Sequence, residues 1–222
     1  MWIVWVAAFL AAPPPAALEA ARDVQDRSAL QRMVEDSAAA AAKTPQDAAA
    51  QYHLALAASY LSEVALELKD KKLAEDAAIR GVQAAEQAVK LKPDVAEYYR
   101  LLGTLCGQVV PANVLSGLSY GKRAKDNIDR AIAMDPKSSM AHMSRGVGNY
   151  YLPAALGGGP ELAIADFRKA IELDPKNAEA WMWLGLGLRK ENKDAEAKQA
   201  FQKSLQLNPR RVWAKQQLDK TP

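Results

Sequence analysis

Apolar positions between residues 180 and 209 repeat with the period of a helix and then stop at a proline. In AWMWLGLGL, Trp181, Leu184 and Leu188 stand three and four apart and form one helical stripe. Gly185 sits inside that stripe, although glycine in a helix costs about 1 kcal/mol relative to alanine. A second stripe of Ala197, Phe201 and Ser204 runs into SLQLNP and Pro209. Two stripes separated by a polar turn predict a pair of packed helices, with Gly185 letting the partner helix approach near Ala197. The same ending recurs in AVKLKP, AIAMDP and AIELDP, so Pro93, Pro136, Pro175 and Pro209 stand 43, 39 and 34 residues apart. Before Pro136 the matching positions are Tyr99, Leu102, Gly103 and Cys106, then Ala124, Ile128 and Ala131. Before Pro175 they are His142, Arg145, Gly146 and Asn149, then Ala163, Phe167 and Ala170. Upstream, Met33, Ser37, Ala40 and Pro45 carry the offsets of a second helix alone, and QYHLALAASYL opens the pair that ends at Pro93. The pattern therefore predicts an opening half-unit, then helix pairs over 46–93, 96–136, 139–175 and 178–211. A short closing helix follows within 212–222, with Trp213 and Leu218 turned inward.

The series Trp181, Leu184, Gly185, Leu188, Ala197, Phe201, Pro209 resembles the tetratricopeptide repeat, W-x2-L-G-x2-Y, then A-x3-F, then P. The likeness runs from about Arg22 to Arg211. It implies an all-α, right-handed solenoid of antiparallel helix pairs whose first helices line a concave groove. Carried over by repeat position, the groove residues are Tyr52, Glu97, Arg100, Thr104, Met143, Tyr150, Met182 and Arg189. Arginine can clamp a carboxylate and methionine adapts to irregular apolar surfaces. The resemblance thus implies a non-enzymatic scaffold that binds a peptide or protein segment with apolar anchors and an acidic group. The family's clamp for Glu-Glu-Val-Asp tails needs an asparagine where this chain has Thr104, Val147 or Leu186, which argues against chaperone-tail binding. Were Trp181 fully buried, its replacement by alanine would cost about 3–5 kcal/mol.

KRAKDNIDRAIAMDP and the segment before it also resemble the helical domain of regulator of microtubule dynamics proteins, which would imply microtubule or organelle contact. A periplasmic accessory of a solute transport system is a third reading.

Turn chemistry fits the repeat plan. Thr44-Pro45-x-Asp47 offers a cap, a proline at the first helical position and an acid in the first turn. Asp94-x-x-Glu97 has the spacing of a capping box. Asp135-Pro136 and Asp174-Pro175 mark turns. The extra residues of the longer intervals fall in GQVVPANVLSGLSYGK and YYLPAALGGGPELA, read as apolar loops folded over helix ends or forming a lip on the groove. Exposed, they would offer a surface for self-association. GGGP lacks the Gly-Lys-Ser/Thr that a phosphate loop requires.

The first residues differ from the rest. Eleven apolar residues follow Met1 and three prolines follow them. A helix of that length rises about 16 Å, half of a hydrocarbon core of about 30 Å. Residues 1–21 therefore read as an export signal or a short apolar anchor, although no basic residue precedes the apolar run. The mature chain would be exported if the segment is cleaved and peripherally membrane-associated if it is not.

Of 222 residues, half are hydrophobic and a quarter charged, which is the composition of a folded chain. The net charge of +3 is uneven: from Gly187 onward there are nine Lys/Arg and four Asp/Glu. A basic end without interleaved aromatics or a groove-reading motif does not suggest nucleic-acid binding. Cys106 is the single cysteine, and His53 and His142 lie far apart, so the sequence suggests neither a metal site, a cofactor site nor a catalytic triad.

Overall fold

The computed structural model describes residues 12–112 and 117–222. Among these residues it contains eleven α-helices: α1 (Pro15–Asp23), α2 (Arg27–Lys43), α3 (Ala48–Glu67), α4 (Lys71–Leu91), α5 (Ala96–Ala112), α6 (Gly117–Met134), α7 (Ser139–Tyr151), α8 (Pro160–Leu173), α9 (Ala178–Lys190), α10 (Asp194–Leu207) and α11 (Val212–Asp219). The pairs α3/α4, α5/α6, α7/α8 and α9/α10 each pack along their length, and each first helix also packs on the second helix of the preceding unit. This is the all-α repeat solenoid that the proline spacing predicts.

The turns reuse one chemistry. Two residues beyond Pro45, Pro136 and Pro175, a short polar side chain caps the next helix: Asp47 accepts from the Ala49 amide at 2.9 Å, Ser138 from Ala141 at 3.2 Å and Asn177 from Ala180 at 3.0 Å. Asp47, and not Thr44, is therefore the cap of α3, and Pro45 belongs to the turn. The expected capping box at Asp94 is also corrected. Helix α5 begins at Ala96, and the Glu97 carboxylate is held instead by Arg100 and Tyr52. At the signature aromatic position, Trp181 Nε1 donates to the Pro175 carbonyl at 3.1 Å, and His142 Nε2 meets the Pro136 carbonyl at 3.0 Å. Trp181 remains partly exposed, so its replacement by alanine should cost about 2 kcal/mol, less than full burial would give. Trp181→Phe, which keeps one aromatic ring and loses the N–H with the rest of the indole, should cost about 1 kcal/mol, mostly the hydrogen bond. Urea titration of the two variants separates the contributions.

Gly185 answers to a different neighbour from the one expected. A Cβ there would stand 2.6 Å from Phe201 Cε1, so the ring of Phe201, not Ala197, fills the space. Gly146 faces Phe167 and Gly103 faces Ile128 in the same register.

The extra residues are used in two ways. Helices α3 and α4 have 20 and 21 residues and α5 and α6 have 17 and 18, against 13 or 14 in the last two units. The segment before Pro136, read as a loop, mostly lengthens helices, with Pro111 inside α5; residues 113–116 lie outside the described residues. In the third unit the extra residues do form a loop. It contains a 3-10 turn (Ala154–Leu156), and Gly157 and Gly159 adopt φ of 85° and 112°, which side chains disfavour.

Two large apolar cores result, beside a small cluster of Ala48, Ala88 and Tyr98. One joins α1–α5 and reaches Ala124 of α6; the other joins α7–α11. The packed chain starts before Arg22, because α1 begins at Pro15 and buries Leu18 completely. The apolar run 1–11, assigned to a signal or anchor, lies outside the described residues.

Candidate functional site

The residues that repeat position assigns to the groove are held mostly by the chain itself. Tyr52 donates to Glu97 Oε1 at 3.1 Å and stacks on Tyr98 with ring centroids 5.2 Å apart. Arg100 is buried; its Nε donates to Glu97 Oε2 at 2.6 Å, and Nη1 donates to Thr104 at 3.3 Å and to Ser144 at 3.4 Å. Burial opposes its charge, yet Glu97 outweighs that and holds the guanidinium well above its usual range. Met182 and Met143 are buried between helices. Arg189 donates to the Gln217 carbonyl at 3.1 Å, to Thr221 at 3.3 Å and to Gln217 Oε1 at 2.7 Å, so the segment around α11 occupies it. Neither arginine stands open for a ligand carboxylate.

Tyr150 is the member of the set that leads to an open surface. Its ring meets Tyr151 edge-on at 5.1 Å and Trp183 at 5.7 Å, and Trp183 reaches Trp213 at 5.4 Å. Lys190 Nζ lies 4.5 Å from the Tyr150 centroid. Tyr151 is 52% exposed and lies within electrostatic reach of Glu67 and Glu63. The sequence places Tyr150 and Tyr151 at the end of α7, just before the Gly-rich loop that presents Leu156, 67% exposed.

Beside this aromatic plate the two ends of the solenoid meet in a charge cluster. Arg211, in the turn before α11, has a fully buried side chain. Its Nη2 donates to Glu63 Oε1 at 2.6 Å and to Glu67 Oε1, its Nη1 to Glu67 Oε2 at 3.2 Å, and its Nε to Glu179 Oε1 at 2.9 Å. Arg22 of α1 lies 3.4 Å from Glu179 Oε1, pairs with Asp23 at 2.7 Å and covers the Tyr60 ring at 5.0 Å. Asn208 donates to Asp23 at 2.7 Å, and Gln216 to Gln25 at 3.1 Å. Two guanidinium groups thus face four carboxylates. Burial raises Glu63 to about 7, more than Arg211 and Arg22 can offset. Burial likewise raises Glu67. At Glu179 burial acts the same way, but Arg211 and Arg22 overcome it and lower the group. Arg211 is itself raised: burial opposes its charge, and Glu179, Glu63 and Glu67 outweigh the burial.

Sequence reasoning missed this cluster, yet two signals for it exist. Arg211 stands where three of the other turns place Asp47, Ser138 and Asn177 and the turn after Pro93 places Val95, and it caps nothing with its side chain. In α3, Glu63 and Glu67 are the only charged side chains, four apart on a helix otherwise without charge.

As chemistry, the site offers aromatic faces and carboxylates. Cys106 is buried, and burial pushes its thiol up to about 11, so it is a poor nucleophile. Among the described residues no group of three or more His, Cys, Asp or Glu is arranged to hold a metal ion.

Comparison with known proteins agrees with this architecture. In fold, the chain is similar to a thermophilic tetratricopeptide repeat protein of Thermus thermophilus, with a TM-score of 0.65 at 18% identity over 93% of this chain and 94% of that one. In sequence, it is 28% identical over 193 residues to regulator of microtubule dynamics protein 3 of Bos taurus, an alignment covering 70% of this chain and 39% of the length of that relative. The family model described as regulator of microtubule dynamics protein 1-3 matches residues 16–220. The chain therefore belongs to the regulator of microtubule dynamics protein 1-3 family.

Proposed function

We propose that the protein is a non-enzymatic scaffold that holds a segment of another protein against the aromatic plate of Tyr150, Tyr151 and Trp183. The observation that carries this reading is the exposure of Tyr151 beside three further aromatic rings and within reach of Glu63 and Glu67. Exposed aromatic clusters are the usual anchors of protein interfaces. The side chain left open is aromatic, the cluster beside it holds four carboxylates against two guanidinium groups and so presents a negative field, and the arginines that would clamp an acid are engaged internally. The partner segment is thus one that combines an apolar or aromatic anchor with Lys or Arg, not the acid-bearing peptide that repeat position alone implies.

Fluorescence anisotropy with two labelled peptides tests the reading, one presenting Leu and Trp between lysines and one presenting the same residues between glutamates. The basic peptide should bind, and Tyr151→Ala should weaken it about tenfold, the loss of one interface anchor. Equal binding of both peptides, or a Tyr151→Ala variant that binds like the wild type, would sink it. Family membership favours a second reading, contact with microtubules, as the name of the bovine relative suggests. Cosedimentation of the full chain with polymerised tubulin decides it. Accessory work beside a transport system, and export itself, stay within the scaffold reading and turn on where the chain resides.

A further inference from the structure

The two ends of the solenoid touch, and the manner in which they touch is unlike the packing elsewhere. Neighbouring helices are joined by apolar side chains and extended backbone proximity. Helices α1 and α3 meet α9 and the α10–α11 turn through long polar side chains, without extended helix-on-helix packing. The two apolar cores end on opposite sides of this seam. What continues the chain from one core to the other is the stack of α5, α6 and α7, where Arg100 and Thr104 bond Ser144. The larger apolar cores thus fall in two halves, joined by a spine on one side and closed by charges on the other. A seam of that kind can open by hinge motion without disturbing either core.

We propose that the Arg211–Glu63–Glu67–Glu179–Arg22 cluster is a pH-sensitive latch that closes the arch over its inner wall, favouring closure in mildly acidic solution and releasing it as the pH rises. The groups that face Glu63 are Arg22 from α1, Tyr60 and Glu67 from α3, Tyr151 from α7, Glu179 from α9 and Arg211 from the α10–α11 turn. Closed, the cluster confines four carboxylates, counting Asp23, with two guanidinium groups, so it is relieved by taking up one proton. Glu63 is the carboxylate raised to about 7 from an ordinary 4.5. An open arch returns Glu63 to water and to its ordinary value. Between these two values the closed form holds a proton that the open form has lost, so closure weakens about tenfold for each pH unit gained. Glu179, which is lowered, has the opposite sign and acts only below the ordinary carboxylate range. Glu67, which is raised, has the same sign as Glu63. Closure is therefore most favoured at about pH 5 and relaxes toward pH 8. Opening would uncover Tyr60, but the device does not depend on what binds there.

The test is small-angle X-ray scattering of the full chain from pH 5 to pH 8, with circular dichroism at each point and hydrogen exchange of α1 and α11. The wild type should expand reversibly as the pH rises, at constant helix content, with exchange accelerating in α1 and α11 and unchanged in α7–α9. Glu63→Gln, which fixes the neutral form, should stay compact throughout and lose the pH dependence. Arg211→Gln should be expanded at every pH. A wild type of constant dimensions from pH 5 to pH 8 would overturn the latch, as would a Glu63→Gln profile that follows the wild type. A compact Arg211→Gln protein would overturn it equally.

Discussion

Phe167→Ala should destabilise the protein by about 3–5 kcal/mol, the cost of deleting a fully buried phenylalanine whose cavity cannot collapse. The reason is where the ring lies. Phe167 is fully buried, and it is wedged between two first helices. A Cβ on Gly146 of α7 would stand 2.5 Å from it and one on Gly187 of α9 3.7 Å from it, while Trp183 stacks on it at 6.1 Å. Two of the walls are therefore glycines, which have no side chain to swing into the void. The ring also belongs to both the third and the fourth unit, so its loss weakens the contact between repeats on which a solenoid depends. Phe201→Ala, which lies against Gly185 at the end of the array, should cost nearly as much but couple fewer units. Guanidinium denaturation of both variants checks the pair. A loss below about 1.5 kcal/mol for Phe167→Ala would mean that the glycine faces close onto each other without the ring.

That glycine–aromatic register was legible in the sequence, because Gly146 and Phe167, like Gly185 and Phe201, recur at fixed offsets from the repeat proline. The helix pairs were legible for the same reason. What a period does not encode is departure from it. Nothing in the spacing says whether extra residues lengthen helices, as in α3–α6, or form a loop, as at Gly157–Gly159. Repeat position placed Arg100 and Arg189 at the groove, but it could not say that Glu97 and Gln217 would reach them first. The charge cluster, with Asn208 on Asp23, joins residues up to 185 positions apart, beyond the reach of any local pattern. Its trace is chemical: an arginine where three counterpart turns carry a capping side chain, and two carboxylates on a helix otherwise free of charge.

A chain that starts at Arg22 should be less stable than one that starts at Ala12 by at least the 2–5 kcal/mol of one buried leucine. Leu18 is fully buried in the first apolar core with Leu30, Val34 and Leu54, and Ala21 is buried beside it. A start at Arg22 removes both and leaves Arg22 and Asp23 on a frayed end, so Glu179 loses Arg22 and keeps only Arg211, and Asn208 loses Asp23. For a domain of this size 1 kcal/mol corresponds to about 2–4 °C in melting temperature, so the deficit should read as about 5–15 °C. Leu18→Ala in the full chain should reproduce most of it, which separates the apolar contribution from the charges. Equal melting temperatures for the two truncated chains would show that α1 adds nothing to the fold. The same geometry bears on the apolar run before the three prolines. If that run is an export signal, cleavage among the small residues at Ala16–Ala21 would cut into α1, whereas cleavage before Pro15 would spare it. The amino-terminal sequence of the mature protein therefore reports whether export and the packing of Leu18 are compatible.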